Sequence, residues 1–200
     1  MALKLNDNAL IDLNTFIILI GENTDENGFN EEQVNLAINM VSESIENYCN
    51  RKFRLTTGLV EMFDGDGEKD LYTRNIPIVE TVTAIKLENW DGSTWDERTI
   101  AEATRAVIAD IGRVYFTDGT KFTYGEDNWR ITYDYGVTLP NVPGGLKQAC
   151  ATLVQRLLAK AEGKEGLTSE SISDRSFSYS LAGIPDDIRE ILDKNSDKNV

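Results

Sequence analysis

Two segments with apolar residues at helical spacing flank a long stretch whose spacing is that of β-strands. In the first, Val34, Ala37, Ile38, Val41, Ile45, Tyr48 and Cys49 recur in steps of three and four, with Asn35, Asn39, Glu43 and Glu46 on the other face. In the second, Leu146, Ala149, Cys150, Leu153, Leu157 and Leu158 form a narrow apolar stripe. Between them, from about Thr56 to Val137, apolar residues alternate with polar ones in short β-branched and aromatic runs. Strands that follow one another without helices pair antiparallel. The expected class is α+β, a helical bundle split in sequence by an antiparallel β region over about 56–137, with its two main helices packed together.

Local signals place the elements. Leu10, Leu13, Phe16, Ile17 and Ile20, closed by Gly21, predict a helix over 8–20. Asn30 with Gln33 three residues later forms a capping-box pattern that opens a helix over 30–52. Pro143 suits the first turn of a helix over 143–161, and Pro185 opens a last one over 185–194. Strands are expected at 59–63, 81–87, 107–108, 113–116 and 129–135, punctuated by Asp91-Gly92, Asp118-Gly119 and Tyr124-Gly125, with room for one helical turn in 98–106. The organisation is then a helical body of 1–55 and 140–161, a β insertion of 56–139, and an arm with a short helix over 162–200.

Composition excludes whole classes of chemistry. The 200 residues include no histidine, which removes Ser-His-Asp triads, Cys-His dyads and His-ligated zinc. With 34 acidic against 20 basic residues the net charge is −14, unsuited to gripping phosphates. The longest apolar run, Phe16 to Ile20, is too short to span a membrane. Cys49 and Cys150 both fall on apolar helical stripes and are expected as buried thiols.

Few local motifs suggest chemistry. Asp64, Asp66, Glu68 and Asp70 alternate with Gly65 and Gly67, but counted from Asp64 the EF-hand glycine and bidentate glutamate are replaced by Lys69 and Asn75. A hairpin turn accounts for the glycines. Gly144-Gly145-Leu146-Lys147 lacks the other parts of a phosphate loop. Trp90 and Trp95 flank a turn, where they either cover the hairpin end or offer a peptide or sugar platform. Six serines between Ser169 and Ser180 mark a polar tract. Arg51, Lys52 and Arg54 form the one basic cluster, which complements the C-terminus of the preceding helix or touches an acidic neighbour such as another copy. No cofactor or metal ligand set is expected.

Several segments taken in order carry a family likeness: IENYCNRKF (45–53), EMFDGDGEKDLYTRNIPI (61–78), WRITYDYG (129–136), VPGGLKQACATLVQRLL (142–158), GLTSESISDRSFSYS (166–180) and IPDDIREILDK (184–194). Together they resemble the head–tail connector (adaptor) proteins of tailed double-stranded-DNA phages and prophages, over nearly the whole chain. The β region is longer than in the shortest members. The resemblance implies a non-enzymatic virion part in the neck, assembled in the host bacterial cytoplasm. It implies a ring, usually of twelve copies, below the portal protein, docking a stopper or tail completion protein. Genomic DNA would pass through the lumen without specific binding. The C-terminal segment would reach the portal, with Ile172, Phe177, Tyr179, Ile184, Ile188, Ile191 and Leu192 as docking residues, and Arg51, Lys52 and Arg54 as subunit contacts. Two other readings stand beside it: a metal-dependent soluble enzyme using the Asp64–Asp70 loop, and a β-domain ligand-binding module centred on Trp90 and Trp95.

Overall fold

A computed structural model of the chain describes residues 4–21, 30–79, 85–97, 105–162 and 184–196. Its four described helices are α1 (Leu13–Ile20), α2 (Glu31–Cys49), α3 (Gly144–Glu162) and α4 (Asp186–Asn195). Its strands are β1 (Thr56–Gly65), β2 (Asp70–Tyr72), β3 (Ile85–Trp90), β4 (Trp95–Glu97), β5 (Arg105–Ile108), β6 (Arg113–Phe116) and β7 (Gly125–Tyr135). The fold is α+β, with all strand pairs antiparallel. The chain divides into a helical unit of 1–54 and 138–200 and a β unit of 55–137.

Caps decide the helix ends. Asp12 accepts the Thr15 amide hydrogen at 2.7 Å, so α1 starts five residues later than its apolar spacing suggests. Hydrogen bonds from the Thr15 side chain and then its amide hold the Asp12 carboxyl below its usual range. Gly21 ends α1 in the left-handed conformation at φ 72°. The Asn30 side chain accepts from Gln33 N–H while Gln33 returns the bond to Asn30 N–H, closing the expected capping box. Asn50 takes a left-handed conformation at φ 48° and stops α2 three residues before the expected boundary.

The core of the helical unit joins Val34, Ile38, Val41 and Ile45 of α2, Leu146, Cys150, Leu153 and Val154 of α3, and Ile188 and Leu192 of α4. The apolar face of α3 is wider than the expected stripe, because Ala151 and Val154 are buried as well. The polar side of α2 is covered in part, with Glu43 exposed. Asn35, Asn39, Ser42 and Glu46 are all buried, beneath a non-helical segment that carries the buried Ala9, Leu10 and Ile11. Asn39 Oδ1 accepts from Asn6 N–H at 2.8 Å, Asn39 Nδ2 donates to the Lys4 carbonyl, and Ser42 Oγ accepts from Leu10 N–H at 3.0 Å. A segment without its own backbone ladder needs such partners, and the polar side chains of α2 supply them.

The β unit is a two-sheet sandwich, with strand orders β1-β7-β3-β4 and β2-β6-β5. Leu71, Val114 and Phe116 from one sheet share a core with Ile85, Leu87, Trp129, Ile131 and Tyr133 from the other. Phe122 lies between Phe116 and Trp129, with ring centroids 4.9 Å from each. Strands β2 and β4 are short additions to the expected set. β7 starts four residues earlier than expected, and β3 runs on to Trp90. Residues 81–84 of an expected strand and 98–104 of an expected helical turn lie outside the described residues, while 105–106 belong to β5.

The acidic loop 64–70 corrects one expectation. It is not a hairpin turn, because β1 pairs with β7 and β2 with β6, so the loop crosses from one sheet to the other. It runs beside the 117–124 crossover, joined by Gly67 N–H to the Phe122 carbonyl and Phe122 N–H to the Glu68 carbonyl, both at 2.8 Å. The glycines are needed for close approach. A Cβ on Gly65 would meet the Thr123 carbonyl oxygen at 1.7 Å, and one on Gly67, at φ +77°, would meet the Tyr124 ring at 2.5 Å.

Candidate functional site

Three carboxylates of the acidic loop, Asp64, Asp66 and Asp70, are engaged in the fold. Asp64 Oδ1 accepts from Asp127 N–H at 2.7 Å, Asp66 Oδ1 from Glu68 N–H at 2.9 Å, and Asp70 Oδ1 from Arg113 Nη2 at 2.7 Å. Each acceptor thus ties down a different strand or loop end. Among the described residues no group of three or more acidic or cysteine side chains converges as a metal site. Both thiols are buried, Cys49 against the Leu192 carbonyl and Cys150 against Ser42 Oγ, and burial pushes each up to about 12. Such thiols are poor nucleophiles at neutral pH. Among the described residues no helix is long and apolar enough to cross a membrane.

The basic cluster is built into the helical unit. Lys52 Nζ donates to Glu46 Oε2 at 2.8 Å, and Glu46 also accepts from Asn8 Nδ2 and Phe53 N–H. Arg54 Nη1 donates to the Ala9 carbonyl at 2.6 Å, and Arg51 lies over the Phe53 ring at 5.3 Å. Arg54 therefore fastens the chain just after α2 to the N-terminal segment, while Lys52 pairs with the buried Glu46 that also holds Asn8. Sequence reading weighed a dipole role and an outside contact for the three basic residues; the buried Glu46 that pairs with Lys52 was read only as part of the polar face of α2 and so was missed.

The tryptophan pair closes the β3–β4 hairpin. Trp90 and Trp95 are directly paired across it, with ring centroids 5.4 Å apart, and Arg130 lies 4.6 Å from the Trp95 ring. Arg130 in turn makes a two-point contact with the buried Glu88, at 2.7 and 2.8 Å, which holds that carboxyl below its usual range. In the turn, Asp91 accepts from Ser93 and Thr94 amides and the Ser93 hydroxyl, which lowers it to about 2. Trp90 is the more open ring of the pair, at 40% exposure.

The C-terminal candidates divide. Ile184, Ile188 and Leu192 are buried, Ile191 is half-buried, and Gly145 of α3 lies against Ile191. These side chains anchor α4 to α2 and α3. Tyr48 of α2 adds a 2.6 Å bond to Asp193, which raises the phenol. The exposed side of α4 carries Asp186, Asp187, Glu190, Asp193 and Lys194. Ile172, Phe177 and Tyr179 lie outside the described residues.

One apolar surface was not singled out from the sequence. On the outer face of the β2-β6-β5 sheet, Tyr72, Arg113 and Ile108 form one cross-strand row, because Arg113 is paired with both neighbours. Period-two reading finds such rows only once the register is known.

Comparisons with known proteins fit this architecture. The family model described as "Head completion protein" matches residues 12–195. Among solved structures, a chain from the neck of an empty gene transfer agent particle, computed with C6 symmetry, superposes with a TM-score of 0.58 at 12% identity, covering 98% of this chain and 94% of that one. A chain from the virion of the native gene transfer agent particle gives 0.56 at 15% identity, with the same coverage of both chains. No curated protein matches the sequence.

Proposed function

The chain belongs to the head completion protein family and is a structural part of the head–tail neck; on that premise we propose that it forms a ring below the portal, continues the DNA channel and docks the stopper or tail completion protein. The observation that carries this reading is the family match over 12–195. The six-fold symmetry applied to the neck of the structural neighbour suits a ring of six or twelve equal parts, and we take twelve. The protein performs no catalysis of its own in this role. Its net charge of −14 lets DNA slide past, since held phosphates need clustered Lys and Arg.

The portal contact is assigned to the arm from Gly166, with Ile172, Phe177 and Tyr179 as its apolar residues, while Ile184, Ile188 and Leu192 anchor the following helix in the body. A truncation before Gly166 would also delete core side chains, so residues 168–181 should instead be replaced by a Gly/Ser linker with α4 retained. The expected outcome is a folded protein that no longer joins the portal vertex; undiminished attachment would remove the arm from the contact. For the role as a whole, deleting the gene should leave DNA-filled or leaking heads without tails. Normal infectious particles from the deletion strain would overturn the reading.

A further inference from the structure

We propose that the outer side of α3 lines the DNA channel, with Gly144, Gln148, Thr152, Gln155, Arg156 and Ala159 turned toward the passing duplex. The inference rests on the ring and channel reading above and names the face that meets DNA. It starts from where carboxylates are missing. The chain carries 34 Asp and Glu in 200 residues, yet residues 135–161 contain none, its longest stretch without one. Helix α3 occupies most of that stretch, and its apolar side is buried in the helical unit. What it shows to solvent is the opposite side, where Gly144, Gln148, Arg156 and Ala159 are exposed and Thr152 and Gln155 half-buried. Their spacing in steps of three and four puts them on one side of the helix. Lys147 is half-buried and donates to the Pro140 carbonyl at 2.8 Å, so Arg156 is the one exposed cation among the described side chains of α3. The other described helices offer no such side. α2 shows Glu31, Glu32 and Glu43 to solvent, α4 shows Asp186, Asp187 and Glu190, and α1 shows the apolar Ile18.

The chemistry of this side selects its occupant. A protein partner needs apolar or aromatic anchors, and among the described residues of α3 no large apolar side chain is exposed. A second acidic copy held by charge needs several cations, where this side has one. A duplex that must slide needs the reverse of both: no carboxylate to repel its phosphates and too few cations to hold them. Screening at physiological salt reaches only about 8 Å, so the phosphates meet the facing side chains rather than the net charge of the whole chain. The amide and hydroxyl groups of Gln148, Thr152 and Gln155 keep such a wall wetted, and water bridges them to passing phosphates.

The test uses the full chain in DNA-filled particles made in the producing host. In three separate variants the photocrosslinking amino acid p-benzoylphenylalanine replaces Gln148 of α3, Glu43 of α2 or Asp96 of β4, all exposed positions, and the particles are irradiated. The variant at 148 should form covalent adducts with the genomic DNA, and the other two should not. DNA adducts at 43 or 96 that match or exceed those at 148, or a product at 148 that joins two protein chains in place of DNA, would overturn the assignment while the channel reading stands. No DNA adduct at any of the three would overturn the channel reading with it. Independently, Gln148→Glu combined with Arg156→Glu should lower DNA transfer from tailed particles about ten-fold or more, whereas Arg156→Gln should leave it near wild type. Wild-type transfer by the acidic variant, with its incorporation and melting temperature unchanged, would overturn the assignment.

Discussion

In the helical unit, Asn39 and Ser42 on one side of α2 hold an irregular segment by its backbone and Glu46 holds the Asn8 side chain and the Phe53 amide, whereas in the β unit the corresponding work is done by strand pairing and an aromatic core. The difference follows from what each region must satisfy. Residues 4–11 of the helical unit bury Leu10 and Ile11 without a regular backbone ladder, so neighbouring side chains must meet their amides and carbonyls. The strands meet most of their own, and buried carboxylates there, Glu61 and Glu88, instead pin a loop and an arginine. A buried polar residue therefore marks a different thing in each unit. On α2 it marks a covered helix face; in the sheets it marks a fixed loop or cross-strand pair.

The two units can be probed separately, because all three tryptophans, Trp90, Trp95 and Trp129, lie in the β unit, while circular dichroism at 222 nm is dominated by helices. The largest effect is expected from Phe122→Ala, which empties the space between Phe116 and Trp129 and should cost about 3–5 kcal/mol. Urea unfolding followed by fluorescence should show the loss; a midpoint that does not move would mean the aromatic cluster does not stabilise the β unit. Glu46→Ala comes next. It strands Asn8 Nδ2 and the Phe53 amide and should cost about 2–3 kcal/mol, seen in the 222 nm transition. If the fluorescence midpoint falls equally, the two units unfold as one and the contrast between them is thermodynamically empty.

Acid should act on the β unit through Glu88. Its folded carboxyl is lowered by Arg130, so its contribution is complete above the unfolded value of about 4.3 and is lost as pH falls through the lower folded value. Comparing wild type with Glu88→Gln from pH 7 down to about pH 3 should show the wild-type advantage, about 1.5 kcal/mol, shrinking at the acid end. A difference independent of pH would assign the effect to packing instead. The smallest change is Asn30→Ala, which opens the capping box and should cost about 1 kcal/mol, confined to the helical signal.

Much of this was legible in the residues because period is a local property. Asn30 with Gln33, Gly21, and the step of three and four from Val34 to Cys49 place α2 and its start without any tertiary information. The switch to alternation near Thr56 likewise places the β region, and the ordered segments shared with connector proteins point to the family that the match over 12–195 establishes. Helix ends were less legible: the Asp12 side-chain cap starts α1 and the left-handed Asn50 ends α2 at points that the apolar stripe runs past.

Three features were decided by the tertiary structure alone. Asn35, Asn39, Glu43 and Glu46 read as one polar face because polarity at helical spacing says nothing about what lies over it, and only the folded structure shows that Asn35, Asn39 and Glu46 are covered while Glu43 is exposed. The glycines of 64–70 read as a hairpin because Asp-Gly favours turns, and only the sheet order shows a crossover in which Thr123 and Tyr124 leave no room for a Cβ. Ile184, Ile188 and Leu192 read as a docking surface because their stripe lacked a visible partner, and that partner is α2 and α3, far away in sequence. The chain thus encodes which elements form through local spacing and caps. Which faces those elements spend on the core depends on neighbours that no local pattern contains.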